Sequence, residues 1–225
     1  MSIVQTNSHF QDTKLWDLAA ATPLIILCAS AAGGFVIMIH REWSPPVHLS
    51  GGLLIASQIT SAVLVLLQGL LLCVRGIPIS KAKGVAPRLC AIAAANGSYV
   101  LLAIPRALPS PTEAIISSVL IVTGTAGSVL TLMWLRKAFA IFPQARELVT
   151  DGPYKVVRHP LYVAEQISAF GLAMQFRQPW GLLIVSAAFV LQFPRMGYEE
   201  NILERAFPIY HEYANRTARI IPFLY

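Results

Sequence analysis

Charge-free apolar stretches divide this chain. Residues 18–39, 49–74, 89–105 and 114–135 run for 22, 26, 17 and 22 positions without Asp, Glu, Lys or Arg. A bilayer core takes about 20 residues of helix, with a range of roughly 17–25. Two shorter stretches follow. Residues 178–194 are free of charge, and residues 160–176 hold one acid, Glu165. The pattern predicts an all-α, polytopic transmembrane bundle of about six apolar segments, the last two a short hairpin joined at 177–180. Residues 1–135 form a region of four N-terminal spans, and residues 136–225 form a second region rich in polar choices. Residues 1–14 are polar and read as a loose cytosolic tail. The first apolar stretch is too long and too late for a cleaved signal peptide.

Composition agrees with this picture. Hydrophobic residues make up 56% of the 225 positions and charged residues 12%, about half the share found in soluble domains. Disorder is excluded by the same figures. The net charge of +6 is scattered between apolar runs, so no nucleic-acid partner is expected. Cys28, Cys73 and Cys90 show neither CxxC nor zinc spacing. They read as buried small apolar residues, and no metal site is expected. Lys and Arg set the orientation. With six spans and a cytosolic N-terminus, only Arg41, Arg106 and Arg177 of the 17 basic residues fall outside. Both termini and the polar stretches 136–159 and 194–225 are then cytosolic. The membrane is a bacterial inner membrane or, in a eukaryote, the endoplasmic reticulum. Gly124, Gly127, Ser128, Ala91, Ala94, Ala95, Gly51 and Gly52 offer small surfaces for helix contact.

Candidate chemistry begins after residue 135. Asp151-Gly152-Pro153 is a turn signal. His159 precedes a proline and should be extended, while Pro160 suits the first position of a helix. Unpaired N–H groups at that helix mouth, with Arg158 beside them, suit an anion. Tyr162, Glu165 and Gln166 follow on one face. Glu165 is an ionisable residue inside an apolar segment and thus a functional candidate. Its plainer reading is a shallow acid that snorkels or pairs with Arg158 or Lys155. Arg195 and Glu199 share a helix face at i, i+4, and Glu200 points about 100° away. Spacing alone favours a solvated amphipathic helix there. The tail from Phe207 through Arg219 to Tyr225 alternates aromatic and basic residues and reads as a segment lying on the membrane.

Gly152-Pro-Tyr, Arg158-His-Pro-Leu-Tyr162 and Arg195-x-x-x-Glu199-Glu200 together resemble the isoprenylcysteine carboxyl methyltransferase family, whose wider group includes phospholipid N-methyltransferases. The resemblance is sharp over residues 146–222 and architectural before that. It implies S-adenosylmethionine as cofactor in a cytosol-facing pocket, and a lipophilic acid or prenyl-cysteine acceptor entering from the bilayer lipids. Carried over by motif, Glu147, Leu148, Val149, Tyr154, His159, Pro160 and Tyr162 resemble cofactor contacts. Glu199 resembles the acid that holds the cofactor, and Arg195 the arginine that orients the substrate. Glu165 is placed with the substrate. The expected reaction is O-methylation of a carboxylate, already ionised at neutral pH. The alternatives are a phospholipid N-methyltransferase or a thiol S-methyltransferase. From other classes come a non-catalytic membrane binding protein and a nicotinamide-dependent enzyme like the sterol reductases, which the closing 219–225 segment resembles.

Overall fold

The computed structural model describes residues 3–42, 49–107, 110–176 and 178–222. Its helices are α1 (Ile3–Glu42), α2 (Leu49–Val74), α3 (Ala86–Asn96), α4 (Pro111–Leu135), α5 (Pro160–Ala173), α6 (Trp180–Ala206) and α7 (Tyr210–Arg216). The fold is the expected all-α bundle. Among the described residues, α1, α2, α4 and α6 each contain a stretch long and apolar enough to cross a membrane. The second and fourth predicted spans coincide with α2 and α4. A two-residue antiparallel pairing, β1 (Ser80–Lys81) on β2 (Gln144–Ala145), gave no signal in the sequence.

Four expectations need correction. Residues 3–14 are helical and continuous with the first span. No Gly or Pro interrupts the chain between Ile3 and Thr22, and a helix once nucleated propagates at little cost. The third span is broken. Its α-helix lasts 11 residues and passes into a 3-10 segment, Gly97–Ala103. At Gly97 the chain lies close to α6, where an added Cβ would sit 3.0 Å from Ala188 Cβ. The closing hairpin is unequal. α5 has 14 residues, about 21 Å at 1.5 Å per residue, against a core of about 30 Å. α6 instead continues through Pro194 for 27 residues, so the 195–204 candidate is the lower half of a long helix. Proline is tolerated there because neighbouring packing holds the helix: Gln192, Arg195 and Met196 on either side are all buried. Arg177, at the predicted hairpin connection, lies outside the described residues, as do 223–225. The cysteines differ among themselves: Cys28 is buried, Cys90 half-buried and Cys73 exposed.

Small residues bring α4 against α5. A Cβ on Gly124 would meet Ser168 N at 2.4 Å, and one on Gly171 would meet Ser117 O at 2.7 Å. The Ser117 hydroxyl donates to Gly171 O at 2.8 Å and accepts from Gln175 at 2.9 Å. Gly51, by contrast, faces open space. The main core gathers Leu24, Leu72, Leu132, Phe139 and Leu161 from α1, α2, α4, α5 and the loop after α4.

A buried charge cluster closes the polar end of this core. Asp17 accepts from Arg146 Nη2 at 3.1 Å and pairs with Arg75 Nε at 3.0 Å. Arg75 also donates to Asp17 O. The cluster ties α1 to the residue after α2 and to the residue after β2. Asp17→Asn would leave two buried guanidinium groups without their carboxylate. Breaking a buried ion pair from one side costs about 3–5 kcal/mol, so thermal unfolding in detergent should shift down by several degrees. An unchanged midpoint would show that the cluster does not hold the helices together.

Candidate active site

The site is built where the start of α5 meets the lower half of α6. Gly152 opens it. Its φ of +60° is a conformation that favours glycine, and a Cβ there would lie 2.5 Å from the Trp134 ring. A short 3-10 turn, Gly152–Lys155, follows and buries Tyr154. His159 precedes Pro160 at the head of α5; its φ of −125° is extended, but its ψ of 55° departs from the extended conformation expected before proline.

Glu199 and Glu200, adjacent on α6, hold two successive groups of α5. The Tyr162 hydroxyl donates to Glu199. His159 Nε2 lies 3.0 Å from Glu200 Oε1. The two α5 rings stack, with centroids 5.3 Å apart and planes 4° from parallel. The Arg195 guanidinium lies over the Tyr162 ring at 4.5 Å, a favourable cation–π position. Arg195 is 3% exposed. Its Nε faces Glu199 at 3.4 Å, its Nη2 donates to Ile141 O at 3.1 Å and its Nη1 to Gln192 at 3.4 Å. The predicted i, i+4 pair is present, but it is packed inside the bundle and not solvated.

Glu200 gathers two guanidinium groups besides His159. Arg158 Nε lies at 3.3 Å and Arg219 Nη2 at 3.0 Å from its carboxylate. The chain therefore supplies its own anion at the α5 mouth. The tail folds back onto this point. Arg158 N donates to Ala218 O at 2.8 Å and His159 N to Arg219 O at 3.1 Å. Arg158 Nη1 donates to Ala214 O, and the Tyr213 hydroxyl to Tyr154 O at 2.8 Å. Burial raises the Tyr154 phenol well above its usual range and pushes Tyr213 up to about 12. Both stay protonated at neutral pH. These backbone bonds hold residues 210–219 on the 154–160 turn.

One cleft collects most of the predicted residues. Glu147, Leu148, Val149, Tyr154, His159, Tyr162, Arg195 and Glu199 all line it. Pro160 is buried behind the wall and shapes the helix start. Tyr210, Tyr213, Leu203 and Phe142 also line the cleft and were missed. The i, i+3 spacing of Tyr210 and Tyr213, which puts them on one face of a helix, was a usable signal. Glu165 is elsewhere. It accepts from Gln68 of α2 at 3.1 Å and lines a separate cavity of about 150 Å³ between α2, α4, α5 and α6. The plainer pairings foreseen for it are not made: Lys155 meets Asp151 at 3.2 Å, and Arg158 meets Glu200. Arg195 lines both the cleft and a smaller cavity that Glu165 and Gln68 also line.

Residues 112–209 match the phospholipid methyltransferase family. The match takes in α4, α5, α6 and every residue of the Tyr162–Arg195–Glu199 cluster. It supports a membrane methyltransferase without resolving the acceptor. The chain is also 33% identical over 131 residues to the nickel-cobalt-cadmium resistance protein NccN of Alcaligenes xylosoxydans xylosoxydans, covering 56% of this chain and 61% of that protein. It is 38% identical over 78 residues to the cobalt-zinc-cadmium resistance protein CzcN of Cupriavidus metallidurans, covering 34% and 36%. The matched segment thus spans less than two thirds of either relative. Among the described residues, no group of three or more His, Cys, Asp or Glu is placed to hold a metal ion.

Glu200→Gln should release the tail from the turn. Hydrogen bonds to charged groups contribute about 1.5–3 kcal/mol, and three basic groups lose their acceptor charge together. Backbone exchange over residues 210–219 should quicken at least tenfold relative to α4. Equal protection in both proteins would mean that the backbone bonds alone hold the tail.

Proposed function

We propose that the protein is an integral membrane methyltransferase that uses S-adenosylmethionine and acts on a lipophilic acceptor. The observation that carries this reading is the position of Arg195. It stands in the wall of the cleft that holds the family-like residues, and in the wall of a cavity reaching between the helices. A water-soluble donor on one side and a lipid-borne acceptor on the other would meet there.

The residues of the cleft suit the donor's chemistry. Glu147 and Glu199 offer carboxylates, and Tyr154, Tyr210 and Tyr213 offer ring faces, both favourable to a cation. Leu148, Val149, Leu161 and Leu203 give an apolar wall for a flat ring. Arg158, in the same cleft wall, suits a carboxylate. When bound, S-adenosylmethionine supplies an activated methyl group. The chain's own part is to orient and to exclude water. Tyr162 and Glu199 fix the Arg195 fork, and the 210–219 segment covers the opening.

Two acceptors remain in view. The resemblance to isoprenylcysteine carboxyl methyltransferases favours a carboxylate, which needs no base. The phospholipid methyltransferase match favours a lipid amine, which must shed a proton. On either reading, a metal-resistance role of the kind named for the relatives would run through a methylated membrane constituent.

Titration of S-adenosylmethionine into detergent-solubilised protein should give saturable heat. Glu199→Gln should weaken that binding at least tenfold. Membranes incubated with methyl-labelled donor should yield labelled lipid. Release of volatile methanol under base marks an ester, and retention marks an amine or thioether. Silence at millimolar donor, in calorimetry and in labelling, would end the methyltransferase reading.

A further inference from the structure

The stretch between α2 and α3 carries positive charge that the chain does not answer. From residue 43 to residue 112 the sequence has no Asp or Glu. Lys81, Lys83 and Arg88 fall within this range, and all three are exposed. Among the described residues, none of the three has an acidic partner. Exposed bases on the tail side are treated differently: Lys155 meets Asp151 at 3.2 Å, and Arg216 meets Glu212. Large apolar side chains stand among the unanswered bases. Ile79 is 65% exposed, Val85 67% and Leu89 60%.

The place of this surface in the fold decides what it meets. α2 stops at Val74 and α4 at Leu135. Gly76 N donates to Lys137 O at 3.0 Å, so the two apolar helices end at one level. β1 lies just beyond that level and is held by backbone bonds, Ile79 N to Ala145 O at 2.7 Å and Ala82 N to Pro143 O at 3.1 Å. α3 then turns back and packs against α6. Residues 79–89 therefore stand where hydrocarbon gives way to head groups. They stand at the end of the bundle where the cleft opens, because β1 pairs with β2 and Gln144 of β2 lines the cleft.

Bases mixed with exposed apolar side chains at that depth gain twice from a charged leaflet. The apolar groups enter the acyl boundary while the charges stay among the head groups, and the long stems of Lys and Arg span the two layers. Anionic head groups supply the missing countercharge, and each nearby base adds to the attraction. An acidic segment arriving from water would answer the charges and leave the apolar side chains without a partner. We propose that residues 79–89 form a docking surface for anionic phospholipids, with Lys81, Lys83 and Arg88 on the phosphates and Ile79, Val85 and Leu89 among the upper acyl carbons. The assignment goes beyond the methyltransferase reading and does not depend on it.

The test uses the full-length protein in detergent micelles, without donor, and reads bound lipid by native mass spectrometry. Dioleoyl phosphatidylglycerol is compared with dioleoyl phosphatidylcholine, so the acyl chains are the same and the head-group charge differs. Wild type should bind the anionic lipid at least tenfold more tightly. Lys81→Gln, Lys83→Gln and Arg88→Gln combined should reduce that preference to about twofold or less. Lys155→Gln, Arg205→Gln and Arg216→Gln combined remove the same charge from the tail side and should keep it. A preference that survives in the first triple variant would overturn the proposal. An equal loss in both triple variants would also overturn it, because net charge alone would then attract the lipid. Two outcomes with wild type need no variant to fold. Equal affinity for the two lipids would sink the idea, and displacement of bound phosphatidylglycerol by an equal concentration of hexaglutamate would assign the surface to an acidic protein segment instead.

Discussion

The clasp between two neighbouring carboxylates of α6 and the first turn of α5 is the contact on which the rest of the site depends. Successive helical residues point about 100° apart. Glu199 and Glu200 therefore cannot serve one small group; they reach around opposite sides of an object placed against the helix. That object is the His159–Tyr162 stack. Pro160 fixes it in place by starting α5 at that point. Glu199 then fixes Arg195, which shares its face, and Glu200 draws in Arg158 and Arg219, which carry the tail. Charge is scarce in this chain, and a buried charge must be matched where it lies. A single dipeptide thus sets the cleft wall on one side and recruits its cover on the other.

The same rule explains which parts of the architecture were legible in the sequence. Apolar runs with sharp charged edges identified α2 and α4 to within a few residues, because desolvation fixes where such runs can end. The Pro160 helix start was legible because proline restricts both itself and His159. The grouping of Arg195 with Glu199 followed from helical spacing, and the clustering of Glu147, Tyr154, His159 and Tyr162 followed from motif resemblance. Their common cleft is a fact of tertiary packing.

What stayed hidden was decided by contacts between distant segments. Asp17 stands at the edge of the apolar run 18–39, and its partners are Arg75 and Arg146, far along the chain. The break at Gly97 depends on the closeness of Ala188. The tail 210–219 has the aromatic and basic alternation of an interfacial segment, and its backbone bonds to Arg158 and His159 gave no signal in the sequence. α6 passes through Pro194 because neighbours on α3 and in the 136–147 loop stabilise both halves. None of these outcomes is encoded within a window of ten or fifteen residues.

The three acids near the α5–α6 junction illustrate how environment divides labour among identical groups. Glu200 lies among two guanidinium groups and a histidine, so its work is electrostatic attachment. Glu199 is joined to Arg195 and to the Tyr162 hydroxyl, which leaves it rigid and suited to holding a cationic ligand. Glu165 lies three residues beyond Tyr162 on the same side of α5, where it accepts from Gln68 and lines the cavity between α2, α4, α5 and α6. A carboxylate that already has strong donors gains little by taking up a proton. Glu165 has the neutral Gln68 amide as its hydrogen-bond donor and shares the wall of the smaller cavity with Arg195. The partners that each helix position supplies thus differ for three identical side chains, and here they are supplied unequally.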